Sequence, residues 1–218
     1  MKIKFTVFAP LALVILVGCG GGSTETAPSA PQPASSLAYI DPMPATGEWA
    51  LVKDASSTPN HLVLNLKGPS DGTLWRGIGF TLKADPTKVR FGLLPIGNGN
   101  PRNGYYRDTG LFLDKTPEVG LDKPVSLQMG GVREGKLMVG LFQKTDEKLF
   151  GYQGATAKDC SGVVTSISID LDVSLQAMPG EVSLALLKAR AIPEVIDDLY
   201  FNRKMVTVPI KVGTLTLK

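Results

Sequence analysis

The sequence predicts an all-β protein built as an antiparallel β-sandwich. Three observations predict this class. Apolar and polar residues alternate with a period of two through most of the chain, turn residues separate these runs, and helical patterns are scarce. About ten short strands with frequent turn signals are typical of such a sandwich. The length of the 218-residue chain suits one domain of moderate size behind an N-terminal leader.

The N-terminus has the pattern of an export signal. Lys2 and Lys4 give a positive start, and an apolar run extends from Phe5 to Val17. The small residue Gly18 then precedes Cys19. A charged start, a short apolar run and a small residue before the cleavage site define a cleaved signal peptide. The apolar run is shorter than the roughly 20 residues that a membrane-spanning helix needs.

The order Leu16-Val17-Gly18-Cys19 resembles the lipobox of bacterial lipoproteins. The resemblance implies that residues 1–18 are removed and that Cys19 is acylated with palmitate-type chains, which anchor the protein stably in a membrane. In the enterobacterial lipoproteins that it resembles, an Asp after the cysteine marks inner-membrane retention. Gly20 stands there, which favours the outer membrane, facing the periplasm or the cell surface. The alternative is an ordinary signal peptide cleaved near a cysteine.

Residues 20–36 read GGGSTETAPSAPQPASS and predict a flexible linker. The segment has no bulky apolar side chain, so burial cannot offset the entropy lost on ordering. Gly, Ser and Pro are typical of coil-like, partly extended tethers. We therefore expect a signal peptide at 1–18, a lipidated cysteine and linker at 19–36, and a β-sandwich binding domain at 37–218.

The clearest strand prediction runs from Val163 to Leu175. Odd-numbered residues in this run are apolar apart from Thr165, and most even-numbered residues are polar. Period-two alternation predicts one face on a core and one face, with Ser166 and Ser168, in water.

Further strands are predicted by the same alternation, and turns join them. Arg133-Glu134-Gly135 predicts a hairpin turn whose glycine takes a positive φ. The phase change after Gly213 predicts a bulge in the last strand. The apolar positions of these strands are Leu62, Leu64 and Leu66; Leu74, Ile78, Phe80 and Leu82, interrupted by Arg76; and Val206, Val208, Ile210 and Val212, followed by Leu215 and Leu217.

Two stretches resemble cohesin-like domains. Residues 79–91, GFTLKADPTKVRF, look like the cohesin second strand leading into an Asp-Pro turn and a short apolar strand. Residues 135–142, GKLMVGLF, fit a central cohesin strand. The resemblance implies a jelly-roll β-sandwich used for protein–protein binding and related in fold to some carbohydrate-binding modules. The chain has no dockerin-like calcium repeat, so cellulosome membership is not implied.

The chain offers little catalytic chemistry. His61 is the single histidine, and one of the two cysteines belongs to the lipobox, which leaves Cys160 without an intramolecular partner. Cys160 is expected to be a small buried apolar residue. We predict no catalytic residues, no cofactor and no His/Cys metal site. The formal net charge of +3 gives no electrostatic footprint for nucleic acid.

Two other patterns have ordinary structural interpretations. Residues 130–136, GGVREGK, match part of a phosphate-loop pattern, but Leu137 takes the Ser/Thr position and strands flank it, which favours a hairpin. Asp170 and Asp172 share one strand face and could ligate calcium. The solvated face of an alternating strand is the simpler interpretation.

One loop carries residues suited to recognition. Residues 96–108, IGNGNPRNGYYRD, contain Arg102, Tyr105, Tyr106 and Arg107. Tyr and Arg are enriched at binding hot spots. Adjacent tyrosines in extended backbone point to opposite sides, so one should pack inward. Simple alternation places Trp75 opposite Leu74, Ile78 and Phe80, where it could be exposed or cover a second layer.

These observations predict a lipid-anchored, non-catalytic module that binds another protein through a sheet face or this loop. The alternative is carbohydrate binding at the envelope, on a planar strip of aromatic side chains formed by Trp75, Tyr105 and Tyr106. A coplanar exposed row would favour sugar, and a flat face with scattered apolar and Arg side chains would favour protein. An enzyme would require a deep cleft with converging ionisable groups.

Overall fold

A computed structural model describes residues 30–94, 104–112, 126–143, 157–194 and 205–218. Contacts divide the chain into two units, Met1–Pro31 and Gln32–Lys218, and every strand described below belongs to the second. The signal peptide and Cys19 lie outside the described residues, and the predicted domain boundaries stay predictions.

The described part of the chain is almost entirely β-structure. Its one helical element is a single 3₁₀ turn at Val173–Leu175. None of its helices is long and apolar enough to cross a membrane. The strands are β1 (Leu37–Ile40), β2 (Trp49–Lys53), β3 (His61–Lys67), β4 (Leu74–Ala84), β5 (Arg90–Phe91), β6 (Tyr106–Asp108), β7 (Ser126–Arg133), β8 (Lys136–Gln143), β9 (Lys158–Asp159), β10 (Val163–Asp170), β11 (Gly180–Val182), β12 (Leu184–Pro193), β13 (Val206–Thr207), β14 (Ile210–Lys211) and β15 (Thr214–Leu217).

The strands form two six-stranded sheets and one small sheet. The first sheet has the order β14-β2-β3-β10-β5, with β6 also paired to β10. The second sheet has the order β13-β12-β4-β8-β7, with β9 also paired to β4, and the small sheet is β1-β15-β11. Neighbouring strands are antiparallel, except that β14 runs parallel to β2. The predicted all-β antiparallel sandwich is confirmed.

One hydrophobic core joins the two large sheets. Leu64 and Ile167 pair across β3 and β10, and both are fully buried. Ile78 and Leu141 pair across β4 and β8 and belong to the same buried cluster. Inward side chains from two facing sheets make the core of a sandwich. The predicted core positions Leu62, Leu64, Leu66, Ile78, Phe80 and Leu82 are therefore confirmed, whereas Leu74 is only half-buried.

The solvated face predicted for β10 is wrong. Ser166 and Ser168 are 1% and 0% exposed, as buried as the apolar Ile167 and Ile169 beside them. The strand is central in its sheet, and side chains of the flanking strands bond to Ser166 on the face that was expected to be solvated, from Asn65 on β3 and Arg107 on β6. It also ends at Asp170, and the predicted continuation becomes the 3₁₀ turn.

The β7–β8 hairpin confirms the predicted turn. Arg133 pairs with Lys136, and the two residues between them, Glu134 and Gly135, have φ of 52° and 71°. Two successive positive φ angles define the tight turn whose twist matches antiparallel strands. A Cβ atom at Gly135 would lie 2.8 Å from the carbonyl oxygen of Ala84, so the close approach also requires glycine.

The C-terminal segment differs from the predicted single bulged strand. It supplies β13 to the second sheet, β14 to the first and β15 to the small sheet. Pro209, which has no N–H to donate, separates β13 from β14. At Gly213 a Cβ atom would collide with the carbonyl oxygen of Ile40 and with Tyr39, and the Gly213 N–H donates to the Tyr39 hydroxyl at 2.6 Å.

Candidate functional site: a glycine-floored trough on the second sheet

The predicted recognition loop is only partly described. Arg102 lies outside the described residues. Tyr106 begins β6, is 1% exposed and pairs with Ile167, so it is the tyrosine that packs inward. Tyr105 is half-buried and packs against the core cluster. The binding role of this loop stays a prediction, and its described tyrosines pin it to the sandwich.

Arg107 belongs to a polar network on the outer face of the first sheet. Its Nη2 donates to Oγ of Ser166 at 3.4 Å, and that hydroxyl donates to Oδ1 of Asn65 at 2.7 Å. Nδ2 of Asn65 donates to Oδ2 of Asp54 at 2.5 Å. Hydrogen bonds from Ser56 and then from Asn65, with the charge of Arg107 adding to them, lower the pKa of Asp54 to about 2. Arg107 is therefore engaged within the domain.

The position of Trp75 shows that the predicted exposed strip of aromatic side chains is wrong. Ile192 pairs with Gly77 and Pro193 pairs with Trp75, so Arg76 is an extra residue at a β-bulge. The bulge reverses the alternation and turns Trp75 into the core, where it is 8% exposed. Its ring lies 5.6 Å from that of Trp49, in an edge-to-face contact between the sheets. With Trp75 and Tyr106 both buried, the row of aromatics proposed for carbohydrate binding is not formed.

The remaining ionisable candidates have local structural partners. Nδ1 of His61 lies 2.5 Å from Oδ1 of Asp170. Asp172 accepts hydrogen bonds from Ser174, which lower its pKa, and its Oδ2 lies 3.3 Å from Nε of Arg90. No group of three metal-ligating side chains occurs in the described ranges.

Cys160 is a buried core thiol. Its side chain is 0% exposed, and burial, with a smaller contribution from Asp159, raises its pKa to about 12. A thiol that stays protonated at neutral pH is a poor nucleophile.

A trough on the outer face of the second sheet is the feature that sequence reasoning missed. It encloses about 270 Å³ between β12, β4 and β8, and Met205 closes its end. Gly79 of β4 pairs with Gly140 of β8, so two positions without side chains lie side by side on its floor. On the same face of the sheet, the next pair toward the hairpin is Thr81 and Met138. Missing side chains at paired positions create a depression in a surface that would otherwise be covered.

Phe142 forms one wall of the trough. It pairs with Gly77, and a Cβ atom at Gly77 would lie 2.5 Å from its Cδ1. A Cβ atom at Gly79 would lie 2.8 Å from its Cζ. The ring therefore lies along both glycines. Glycine inside a strand often marks the close approach of another group, and this was the signal available in the sequence.

Two exposed methionines line the same trough. Met138 on β8 is 58% exposed and Met205, which directly precedes β13, is 42% exposed. A second depression of about 450 Å³ shares Thr81 and Met138 with the trough and extends to the β7–β8 turn. Large apolar side chains in a concave, solvent-open surface are typical of interaction sites.

Comparisons with known proteins add a likeness of fold. No protein-family model matches the sequence, and no curated protein matches it. Solved cohesin structures do match. A type II cohesin domain from the cellulosome of Acetivibrio cellulolyticus matches with a TM-score of 0.47 and 12% identity, covering 78% of this chain and 95% of that one.

Two further matches are similar. The second type II cohesin module of the cellulosomal adaptor scaffoldin of Acetivibrio cellulolyticus gives a TM-score of 0.46 and 11% identity, covering 78% of this chain and 95% of that one. A type I cohesin–dockerin complex from Clostridium thermocellum gives 0.45 and 11%, covering 85% and 96%. These solved structures are cohesins, the kind of domain that the sequence resembles.

Proposed function

We propose that this chain is a bacterial outer-membrane lipoprotein whose β-sandwich binds another protein without catalysing a reaction. The observation that carries the binding proposal is the trough, a concave apolar surface lined by two exposed methionines. Methionine is over-represented at binding surfaces because its flexible thioether adapts to varied partners.

The chemistry of the trough supports binding over catalysis. Its floor is glycine, and among its described lining residues the ionisable ones are Lys188 and Arg190, with no histidine, cysteine or carboxylate. General acid–base or nucleophilic catalysis needs such groups within reach of one another. A surface that offers apolar contact and fixed positive charge can recognise a partner.

The anchor is proposed from the sequence at Cys19. At the other end of the predicted linker, the backbone is hydrogen-bonded to the sandwich. Ala34 donates its N–H to the carbonyl of Ala177 at 2.8 Å, and Ser35 donates to Lys218 at 2.6 Å. Under this proposal, residues 20–33 form the free tether that holds the domain away from the lipid headgroups.

Site-specific photo-crosslinking in the native envelope tests the binding proposal. Met138 or Met205 is replaced by p-benzoylphenylalanine, with the same replacement at Met43 and Val173, which are 94% and 71% exposed elsewhere, as matched controls. We expect one protein to be crosslinked from both trough positions and from neither control, and excess unlabelled protein to suppress the product. Equal crosslinking from trough and control positions would contradict the proposal.

A further inference from the structure

The trough carries a rim of positive charge. Lys188 and Arg190 on β12 are exposed and pair with Thr81 and Gly79, which places both on the outer face beside the floor. One row toward the hairpin, Lys83 on β4 pairs with Lys136 on β8. These side chains come from three strands, so the cluster is made by the sheet register and not by a run of sequence.

The rim has few balancing carboxylates within the described residues. Glu134 is at the β7–β8 turn, and its Oε1 lies 3.3 Å from Nε of Arg133. Its charge therefore pairs with Arg133, which is not one of the rim cations. The pKa of Asp85 is lowered mainly by its hydrogen bonds from Thr87. The charge of Lys83 makes a smaller contribution, so Asp85 is the carboxylate that partly balances this lysine. Lys136, Lys188 and Arg190 form no ion pair in the described ranges. Like charges gathered in this way repel one another and attract an anionic partner.

We infer that the partner is a protein segment that places an apolar side chain in the trough and carboxylates on the rim. This inference rests on the proposed function and specifies the chemistry of the partner. The apolar walls of Phe142, Met138 and Met205 accept the buried side chain, while Lys188 and Arg190, both on β12, meet Asp or Glu residues next to it in the partner segment. Charge complementarity around an apolar centre is the usual arrangement of a specific interface.

The shape of the site favours a protein over a lipid surface or nucleic acid. A depression of about 270 Å³ between strands accommodates one or two side chains. A planar array of phosphates would contact the cations and leave the glycine floor unfilled. The formal net charge of the chain is only +3, which is small for a protein that binds nucleic acid through its charge.

Methionine methyl NMR tests the inference on the full-length protein in detergent. The chain has six methionines, and Met43 and Met178 are exposed away from the trough and serve as internal controls for Met138 and Met205. Three synthetic peptides share a central Leu-Phe pair and carry flanking Glu, Gln or Lys. We expect the Glu peptide alone to shift the Met138 and Met205 signals, with apparent affinity falling about tenfold or more in high salt.

Charge reversal completes the test. The double variant Lys188→Glu with Arg190→Glu should lose the response to the Glu peptide and gain one to the Lys peptide. The matched control, Lys53→Glu with Lys67→Glu on the first sheet, should behave as the natural chain.

Equal shifts from the Gln or Lys peptide, or none from the Glu peptide at millimolar concentration, would overturn the inference. Phosphatidylglycerol added to the detergent micelles that shifts the same two signals would indicate a lipid partner and overturn the inference as well. The proposed binding function is judged separately by crosslinking, which does not depend on the charge of the partner.

Discussion

The ring of Phe142 lies against Gly79 so closely that a Cβ atom on the glycine would be 2.8 Å from Cζ of the ring. This contact shapes the trough, because the ring can form a wall beside the glycine floor only where position 79 has no side chain. The neighbouring Gly77 differs in one respect. A Cβ atom added at Gly77 would also lie 2.8 Å from the carbonyl oxygen of Leu141, which is a backbone atom and cannot rotate away as a side chain can.

This difference predicts unequal effects of two alanine substitutions. Gly77→Ala should lower the free energy of unfolding by roughly 1–3 kcal/mol, because the backbone of β8 must shift. Gly79→Ala should lower it by less than about 1 kcal/mol, since the Phe142 ring can rotate away. Urea denaturation measures both. An equal loss of unfolding free energy in the two variants, or a larger loss at Gly79, would contradict the contacts described between these glycines and β8.

Burial of both faces of β10 predicts that two neighbouring substitutions are equally harmful. Ser168→Asp and Ile169→Asp should each destabilise the domain by several kcal/mol, because both side chains are 0% exposed and either change buries an unpaired charge. Thr214→Asp, at an exposed strand position, should change stability by less than about 0.5 kcal/mol. A mild effect of Ser168→Asp would contradict the burial of this face and would support the solvated face that alternation alone predicts.

The lowered pKa of Asp54 predicts an acid-dependent contribution to stability. The folded-state pKa of about 2 lies below the usual value of 3.8, so the ionised carboxylate favours the folded state. That contribution is complete above the unfolded-state pKa and is lost as the pH falls through 4 toward 2. With allowance for solvent screening, we expect Asp54→Asn to lower stability at neutral pH by about 1 kcal/mol.

The Asp54 prediction is checked by unfolding at a series of pH values. The difference between the natural chain and Asp54→Asn should shrink as the pH falls through that window. A difference that stays constant would mean that the carboxylate is not held by Ser56 and Asn65.

The proposed anchor predicts that Cys19→Ala releases the protein from the membrane and leaves the sandwich folded. The residues of the described core lie between Ala34 and Leu217, so we expect a substitution at position 19 to leave the packing of that core unchanged. Membrane fractionation after a salt wash, with circular dichroism of the released protein, measures both properties. Retention of the variant in the washed membrane would contradict the lipid anchor.

Alternation along single strands was enough to predict the fold class and most of the core. The residues Leu62, Leu64, Ile167 and Ile169 face inward because period-two patterning is a property of each strand by itself. Alternation places Trp75 on the wrong face, because the orientation of this residue depends on a bulge at Arg76. That bulge is set by the pairing of β4 with β12. Ser166 and Ser168 were misjudged for a related reason, since their burial depends on which strands flank β10.

The candidate site could not be predicted, because it exists only in the register between strands. Gly79 and Gly140 are 61 positions apart, and only their pairing makes a floor from two ordinary glycines. Met205 reaches the same surface from a C-terminal segment that divides among three sheets. The aromatic and arginine residues singled out in the sequence include Tyr106 and Arg107, which the fold uses internally.

The most direct test of the account is the affinity of the crosslinked partner for the domain with and without the trough methionines. Met138→Ala with Met205→Ala should weaken binding at least about tenfold, which corresponds to about 1.4 kcal/mol. Met43→Ala with Met178→Ala removes two exposed methionines elsewhere and should leave the affinity unchanged. An unchanged affinity in the trough variant, measured by titration calorimetry, would contradict the claim that this chain recognises its partner through the trough.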